Sequence, residues 1–267
     1  MVGGNEPWPD GRFNHNLPKA EQKPVGQWSW ADENDNGKVE TNEVVWFRPP
    51  GQARHALFGM NADREGHLLI CDQHVHGVIE LPRAGFNASG NPVYDWRLAR
   101  VIVPRDPTPV KFDPLMAVRS DDGTLYAMGR CEAFERPGGK EAGYIWMGGW
   151  ALARYGKDGV RLWLTPLPQV CPGLCDIPGG RGVMLGYYQK GHIYHYEPGG
   201  LHIGTAKLGD AAGNQTGWMD NTASLNVNRD PRDGLLDVFG EDSYLNRIIW
   251  YRVDDRDVRE VSGKVSR

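Results

Sequence analysis

Twelve consecutive residues, 32–43, bring oxygen-bearing groups together at regular spacing. They match D-x-[DN]-x-[DN]-G-x5-E, a pattern in which a short loop wraps oxygen ligands around a hard cation. Every ligand position holds an oxygen donor: Asp32, Asn34 and Asn36 through their side chains, Lys38 through its carbonyl, Glu40 through a water molecule and Glu43 through both carboxylate oxygens. Gly37 stands where the loop must turn sharply. The sequence therefore predicts a Ca²⁺ site formed by these residues.

The segments on either side of this loop are predicted to be strands. Gln27–Trp30 alternates in character, and Val44–Phe47 is β-branched and aromatic. No amphipathic helix of the usual length fits beside the loop, so the loop does not belong to an EF-hand calcium sensor. Because only Asp32, Glu40 and Glu43 would bring formal charges near the ion, we expect moderate affinity. The alternative is a polar hairpin turn, rich in Asn and Asp, that binds no cation.

The composition predicts a β-rich protein with many turns. The 267 residues include 35 glycines, 19 prolines and 10 tryptophans, and runs of helix-favouring residues are few. A net charge of -4 argues against nucleic acid and against an anionic membrane surface as partners. No apolar run is long enough to cross a bilayer. Residues 1–4 lack the charged and apolar regions of a signal peptide.

A turn glycine followed by an apolar strand recurs along the chain. The glycines of this series are Gly11, Gly66, Gly123, Gly182 and Gly234, which stand 55, 57, 59 and 52 positions apart. This near-constant spacing predicts one domain, residues 1–267, built from five repeat units. The units are residues 1–57, 58–114, 115–169, 170–220 and 221–267.

Each unit is predicted to contain further strands after the first. The second strands are Gly77–Leu81, Trp150–Tyr155, His192–Tyr196 and Arg247–Val253. A third, outer strand carries a tryptophan at Trp30, Trp96 and Trp163. Four-stranded sheets that repeat and are joined by Gly-rich turns are typical of a β-propeller, in which each sheet packs against its neighbours.

The repeats resemble those of NHL-type and related bacterial β-propeller proteins. Segments 121–159 and 234–254 carry the resemblance best, and segment 28–43 is similar to a calcium loop inserted into some large secreted bacterial propellers. The resemblance covers most of the chain and implies an all-β propeller in the periplasm or outside the cell. The units are longer than the usual blade of about 40 to 50 residues, and five is an uncommon number. The alternatives are a complete ring, part of a larger ring, or a ring completed by a second chain.

Propellers usually bind ligands where the axis of the ring opens, on loops that leave the inner strands. The resemblance therefore makes the residues after each glycine-led strand the first site candidates: Asp72, His74 and His76; Arg130, Cys131 and Glu132; Tyr187 and Tyr188; Glu241 and Asp242. The candidate catalytic residues are His74, His76, Arg130 and Tyr187. Such groups, converging in one axial cleft, would bind a second divalent metal or abstract a proton. The alternative is that each is a surface or packing residue.

Two further pairs of residues have open alternatives. Trp146 and Trp150 either pack between blades or stack on a flat ligand. Cys171 and Cys175 do not form a C-x-x-C motif, and they either form a short-range disulfide or remain two buried thiols.

Two functions fit these residues. In the first, which we favour, the protein is a calcium-stabilised propeller that serves as a binding or scaffold module for a carbohydrate or a small organic molecule. In the second, it is a metal-assisted propeller enzyme, a lyase or hydrolase acting on such a molecule. The sequence lacks the G-x-S-x-G, H-E-x-x-H, Walker and G-x-G-x-x-G motifs.

Overall fold

The computed structural model describes residues 2–4, 27–47, 57–72, 77–106, 110–134, 149–168, 171, 173–187, 191–207, 225–242 and 247–256. These residues form twenty β-strands and three short 3-10 turns, with no α-helix among them, which confirms the all-β prediction. In this part of the chain no helix has the length and apolar character needed to cross a membrane. The chain forms two compact units, Met1–Arg105 and Asp106–Arg267.

The first unit contains two antiparallel sheets and one hairpin. One sheet has the order β1-β2-β3, with strands Val2–Gly4, Gln27–Trp30 and Val44–Phe47. The other has the order β4-β5-β6-β9, with strands Leu57–Ala62, Leu68–Asp72, Gly77–Leu81 and Arg100–Val103. Between β6 and β9 the chain forms the hairpin β7–β8, Arg83–Phe86 and Pro92–Tyr94, and then a 3-10 turn, Trp96–Leu98.

The second unit contains three antiparallel sheets that follow one another along the chain. The first comprises β10 to β13, Phe112–Arg119, Leu125–Cys131, Trp150–Tyr155 and Arg161–Pro166. The second comprises β14 to β17, Gly173–Asp176, Val183–Gly186, Ile193–Tyr196 and His202–Ala206. The third comprises β18 to β20, Leu225–Arg229, Leu236–Asp242 and Arg247–Val253. In each sheet, consecutive strands are neighbours.

These sheets are the blades of a β-propeller. Within the second unit, the first strand of each sheet contacts the first strand of the next, from β10 to β14 and from β14 to β18. Sheets of consecutive antiparallel strands that pack through their inner strands are characteristic of propeller blades. Together with the sheet β4-β5-β6-β9, they make four blades, so five repeat units are not confirmed. The described part of residues 1–56 contributes only the three-stranded sheet β1-β2-β3.

The repeated turn glycines explain why the strands begin where they were predicted. The four described members have positive φ angles of +78°, +78°, +105° and +76° at Gly66, Gly123, Gly182 and Gly234. Residues with a Cβ atom rarely adopt this conformation. At Gly182 a Cβ atom would also lie 2.0 Å from the carbonyl oxygen of Tyr196 in the paired strand. Gly11 lies outside the described residues.

Burial shows which blades have neighbours on both faces. All residues of β15 and β16 are buried, because one face of this blade packs in a core with β10 to β12 and the other in a core with β18 to β20. In β19, by contrast, buried residues alternate with less buried ones. Phe239, Ile248 and Trp250 are exposed on this last described blade. Period-two burial is expected for a sheet covered on one face.

Three tryptophan predictions have different outcomes. Trp163 lies in β13, the outer strand of its blade, as predicted. Trp96 was predicted in an outer strand, but it lies in a 3-10 turn and is 1% exposed within a core of the first unit. Trp30 lies in β2, the middle strand of its sheet. Packing of Trp96 under the β7–β8 insertion explains why its position does not follow the repeat.

Candidate functional site

The predicted cation loop joins β2 to β3 and turns its acidic ends inward. Asp32 is 9% exposed and Glu43 is 4% exposed. The two carboxylate oxygens of Asp32 accept hydrogen bonds from the backbone N–H groups of Asn36 at 3.1 Å and Gly37 at 2.8 Å. Gly37 has a φ angle of +69°, and no atom lies within 4 Å of the place where its Cβ would be. The turn therefore has the left-handed glycine that the motif requires.

Glu43 closes the loop at its other end. It is the last residue of the 3-10 turn Thr41–Glu43. Its Oε1 accepts a hydrogen bond from the backbone N–H of Glu33 at 3.0 Å, and its Oε2 accepts one from the indole Nε1 of Trp30 at 2.9 Å. The carboxylate thus points back across the loop and is not directed into solvent.

The side chains of Asn34 and Asn36 both donate hydrogen bonds to a third carboxylate of the loop, that of Glu40. Asn34 donates from Nδ2 to Oε2 of Glu40 at 2.5 Å, and Asn36 donates from Nδ2 to Oε1 of the same residue at 3.4 Å. The Oδ1 atom of Asn36 accepts from the backbone N–H of Lys38 at 2.7 Å. The predicted ligand positions therefore share one short loop.

The chemistry of this donor set fits a hard cation such as Ca²⁺. Segment 32–43 has five acidic residues and one lysine, and none of the five forms an ion pair with another described residue. Within the described ranges, no group of three or more His, Cys, Asp or Glu side chains is arranged to hold a metal. The three carboxylates of the motif, Asp32, Glu40 and Glu43, are therefore not arranged as such a group, and the calcium site stays a prediction. The polar hairpin alternative also remains, because the hydrogen bonds within the loop satisfy its carboxylates.

The second set of candidates lies at one edge of the blades of the second unit. The second strands of these blades, β11, β15 and β19, hold equivalent positions, so their carboxyl ends lie at the same edge. Arg130 is near the end of β11, Tyr187 directly follows β15, and Asp242 is the last residue of β19. This arrangement brings one candidate from each blade to a common edge, which we call the strand-end site.

Asp242 and Arg247 form the charged centre of this strand-end site. The two residues face each other in the β19–β20 register. The Asp242 side chain is 0% exposed, and its Oδ2 accepts a hydrogen bond from Nε of Arg247 at 2.8 Å. The Nη2 atom of Arg247 is buried and has no hydrogen-bond partner in the described part of the chain. This guanidinium group therefore has an unused donor beside a buried carboxylate.

A neighbouring phenol also belongs to this edge. Tyr251, on β20, donates a hydrogen bond from its hydroxyl group to the carbonyl oxygen of Gly191 in the adjacent blade. Burial and the negative charge of Asp242 raise the pKa of Tyr251, and the positive charge of Arg247 lowers it less. The phenol is therefore protonated at neutral pH and acts as a hydrogen-bond donor.

Other predicted residues at this edge have packing or surface roles. Tyr187 is 5% exposed, and its ring lies 6.0 Å from that of Tyr194 and 6.1 Å from that of His192. Burial raises the pKa of Tyr187, which disfavours its phenolate. Glu132 is exposed and pairs with Lys111 at 2.8 Å. Arg130 is half-buried.

Three of the four cysteines are buried, and Cys175 is partly buried. None of the four is in a disulfide bond, so the disulfide alternative for Cys171 and Cys175 does not hold. Burial raises the pKa of Cys131 and Cys171, and it raises that of Cys175 to about 11. A raised pKa leaves little thiolate, the form that attacks substrates or binds metals.

Several predicted residues have no described side chain. His74, His76, Tyr188 and Trp146 lie outside the described residues, and of Asp72 only the backbone, at the end of β5, is described. Their assignment as metal-binding, catalytic or stacking residues stays a prediction. Trp150, in contrast, is 5% exposed within a core, so it packs between blades and does not present a ligand platform.

The sequence analysis missed Arg247 and Tyr251. Arg247 was placed in the correct strand, Arg247–Val253, but only as a strand residue. Its signal was its position: only four residues separate β19 from β20 in the sequence, and in an antiparallel pair so closely connected the last residue of one strand faces the first residue of the other. Asp242 and Arg247 are that pair.

No known family model matches this chain, and no curated protein matches its sequence. Among solved structures, it is similar to virginiamycin B lyase from Staphylococcus aureus, with 12% identity and a TM-score of 0.40 over 74% of this chain and 56% of that one. A structure described as a putative gluconolactonase has 16% identity and a TM-score of 0.43, covering 86% of this chain and 71% of that one. The gluconolactonase XC5397 from Xanthomonas campestris has 14% identity and a TM-score of 0.40, covering 79% and 69%.

These neighbours are β-propeller proteins. The chain spans between 56% and 60% of the length of the lyase structures it matches. The assignment of the fold rests on the sheets described above. No activity follows for this chain from these similarities.

Proposed function

We propose that this protein is a calcium-stabilised β-propeller that binds a small organic molecule with an anionic group. The cation site is supported by the loop from Asp32 to Glu43, whose terminal carboxylates are buried and whose five acids have no ion pair among the described residues. Asp32, Asn34, Asn36 and Glu43 would hold the ion with their side chains, and Lys38 with its carbonyl. The ion would offset part of the negative charge of the loop and join the ends of β2 and β3.

The charge of the site supports a location outside the cytosol. Its formal charges come mainly from Asp32, Glu40 and Glu43, and sites of moderate charge bind calcium only when its concentration is high. Calcium sites of extracellular modules have dissociation constants of about 0.1 to 1 mM. We therefore place the protein in the periplasm or outside the cell.

Terbium luminescence tests the cation site, because Tb³⁺ occupies calcium sites and is excited by a nearby indole. The Nε1 atom of Trp30 lies 2.9 Å from Oε2 of Glu43. We expect terbium emission on excitation of tryptophan, its displacement by calcium, and its loss in Glu43→Gln. Glu33→Gln, a matched change at an exposed position that is not a ligand, should keep the emission. Equal emission from Glu43→Gln and the unaltered protein would refute the site.

The single observation that supports the ligand proposal is the buried Nη2 of Arg247, which has no hydrogen-bond partner among the described residues. A guanidinium group binds carboxylate or phosphate through two parallel hydrogen bonds. The Nε atom of Arg247 already donates a hydrogen bond to Asp242. A buried cationic N–H donor of this kind favours an anionic oxygen at this place. The hydroxyl group of Tyr251 already donates to the carbonyl oxygen of Gly191, so Arg247 is the proposed donor to the ligand. We therefore expect a sugar acid or another small organic acid as the ligand.

Calorimetric titration with glucuronate and with citrate tests this proposal. Arg247→Gln removes the guanidinium group and should lower the affinity for the bound acid at least tenfold, about 1.4 kcal/mol. Arg256→Gln is a matched control, because Arg256 is on the same blade and its side chain is 54% exposed. If neither acid binds, or if both variants bind equally well, the strand-end site does not hold such a ligand.

A second candidate function is acid–base catalysis at the same edge. It is supported by the side chain of Asp242, which is 0% exposed and lies beside Arg247. A buried carboxylate next to the anion-binding group could remove a proton from a carbon beside the substrate carboxylate, as in a lyase, or activate water, as in a hydrolase. If turnover of a sugar acid or lactone is detected, Asp242→Asn should abolish it and retain acid binding. Unchanged turnover in Asp242→Asn would exclude this role.

A further inference from the structure

The hairpin β7–β8 interrupts the regular structure of its blade. In the blades of the second unit, tight turns at Gly156–Val160 and Glu197–Leu201 join the third strand to the fourth. In the first unit, the corresponding strands β6 and β9 pair with each other, but residues 82–99 leave the sheet between them. Residues outside the sheet must therefore hold this insertion in place.

The cation loop supplies such contacts. Asn87, in the turn of the hairpin, donates from Nδ2 to the carbonyl oxygen of Asp32 at 2.6 Å. Its Oδ1 accepts from the backbone N–H groups of Ser89 at 3.1 Å and Asn91 at 2.8 Å. The Asn87 amide thus connects the hairpin turn with the first residue of the loop. The amide orientation is fixed, because its oxygen and its nitrogen have different partners.

A second contact lies at the other end of the hairpin. Ser29, in β2, donates from Oγ to the carbonyl oxygen of Tyr94 at 2.5 Å. The hydroxyl group of Tyr94 donates to the carbonyl oxygen of Gly66, in the turn between β4 and β5, at 2.8 Å. The hairpin is therefore attached to the segment from Ser29 to Asp32 on one side and to its own blade on the other.

We propose that cation binding in the loop controls the order of the β7–β8 hairpin through Asp32. This inference rests on the proposed cation site. Asp32 has two roles: its carboxylate is the first ligand position, and its carbonyl is the acceptor for Asn87. An ion that fixes the carboxylate therefore also fixes the carbonyl.

The charges of the loop give the direction of this control. Without an ion, five acidic residues within twelve positions face one lysine, and their repulsion favours a more open loop. An open loop displaces the Asp32 carbonyl, and the hairpin loses its Asn87 contact. With a divalent ion, the repulsion is reduced and the contact is kept. Calcium therefore switches a surface element that carries the exposed ring of Phe86.

Hydrogen exchange of the full chain, followed by mass spectrometry, tests the inference. In excess calcium, peptides that cover residues 83–94 should exchange more slowly than in EDTA, by at least a factor of ten. Peptides from β10 to β13 should exchange equally in both conditions. Glu43→Gln should exchange like the calcium-free protein under both conditions.

A matched pair of variants isolates the proposed connection. Asn87→Asp keeps acceptor oxygens for the hairpin turn but removes the donor to Asp32, whereas Asn91→Asp adds the same charge to the same turn and leaves that donor in place. We expect Asn87→Asp to bind terbium without calcium-dependent protection of the hairpin, and Asn91→Asp to retain both. Terbium binding with unchanged hairpin exchange in the unaltered protein would overturn this inference alone. Absence of terbium binding would overturn the cation site and the inference together.

Discussion

Single residues in the inter-blade cores acquire properties that their sequence positions do not suggest. His195, in β16, is 5% exposed, and its Nε2 lies 3.4 Å from the carbonyl oxygen of Arg181. Its Nδ1 is buried and has no hydrogen-bond partner among the described residues. Burial lowers the pKa of His195, and the Arg181 carbonyl and the charge of Asp255 oppose this effect less strongly. The charges of Arg181 and His202 lower the pKa further.

Because the pKa of His195 is lowered in the folded state, we expect the protein to lose stability in mild acid. Well above pH 6.5, His195 is neutral in both the folded and the unfolded chain and contributes no pH dependence. As the pH falls through 6.5, His195 binds a proton more readily in the unfolded chain than in the folded protein. The free energy of unfolding therefore decreases. Urea unfolding between pH 7.5 and 5 should show a smaller decrease for His195→Gln than for the unaltered protein. Identical pH profiles of His195→Gln and the unaltered protein would contradict the prediction.

At the scale of elements, the turns between first and second strands connect neighbouring blades. The carboxylate of Asp121 accepts a hydrogen bond from the backbone N–H of Gly179 in the next blade at 2.6 Å. The carbonyl of Pro178 accepts one from Nη2 of Arg229 in the blade after that, at 3.1 Å. Arg229 also holds both oxygens of Asp255, at 3.0 Å and 2.8 Å. One side of the blade stack is therefore joined by polar contacts as well as by the apolar cores.

The Arg229–Asp255 pair is expected to be the strongest of these connections. The Asp255 side chain is 0% exposed. Burial alone would raise the pKa of Asp255, but the hydrogen bonds and charge of Arg229, together with Arg181, hold the pKa below its usual value. Arg229→Ala leaves a buried carboxylate with a weaker partner, and it should decrease the free energy of unfolding by about 3 kcal/mol.

Chemical denaturation at pH 7 measures this change. Arg256→Ala is the matched control, because Arg256 pairs with Asp254 in an ion pair whose side chains are 54% and 33% exposed. It should have a much smaller effect than Arg229→Ala, since solvent screens exposed pairs. Equal effects of the two substitutions would show that the blades do not depend on the buried pair.

For the whole molecule, the division into two compact units determines where calcium acts. The loop lies in residues 1–105, and two apolar cores described between the blades of β10 to β20 lie in residues 106–267. A ligand stabilises the part of a protein whose native state binds it. Calcium should therefore change the stability of the first unit and leave the cores of the second unit unaffected.

Calorimetry of the full chain tests this expectation. At a free calcium concentration roughly 100 times the dissociation constant, the ion should add about 2.7 kcal/mol to the stability of the first unit. Its thermal midpoint should rise by several degrees relative to EDTA. Glu43→Gln should give the same thermogram in calcium and in EDTA. A calcium-dependent shift that persists in Glu43→Gln would mean that the ion binds elsewhere.

Local sequence patterns were sufficient to place half of the twenty described strands. Gln27–Trp30, Val44–Phe47, Gly77–Leu81, Trp150–Tyr155 and Arg247–Val253 were predicted with the boundaries that the structure has. Strand alternation and turn glycines act over a few residues, so a single sequence contains them. The acidic loop was located for the same reason, since all its ligand positions lie within twelve residues.

Tertiary structure alone decided which candidate residues are available for chemistry. Tyr187 and Trp150 became core residues, whereas Asp242 and Arg247 became the centre of the strand-end site. The contact between Asn87 and Asp32 joins residues 55 positions apart, and no local pattern predicts it. The burial of a side chain and its hydrogen-bond partners depend on how blades that are distant in the sequence pack together. The sequence repeat specifies each blade but not which side chains come into contact between blades.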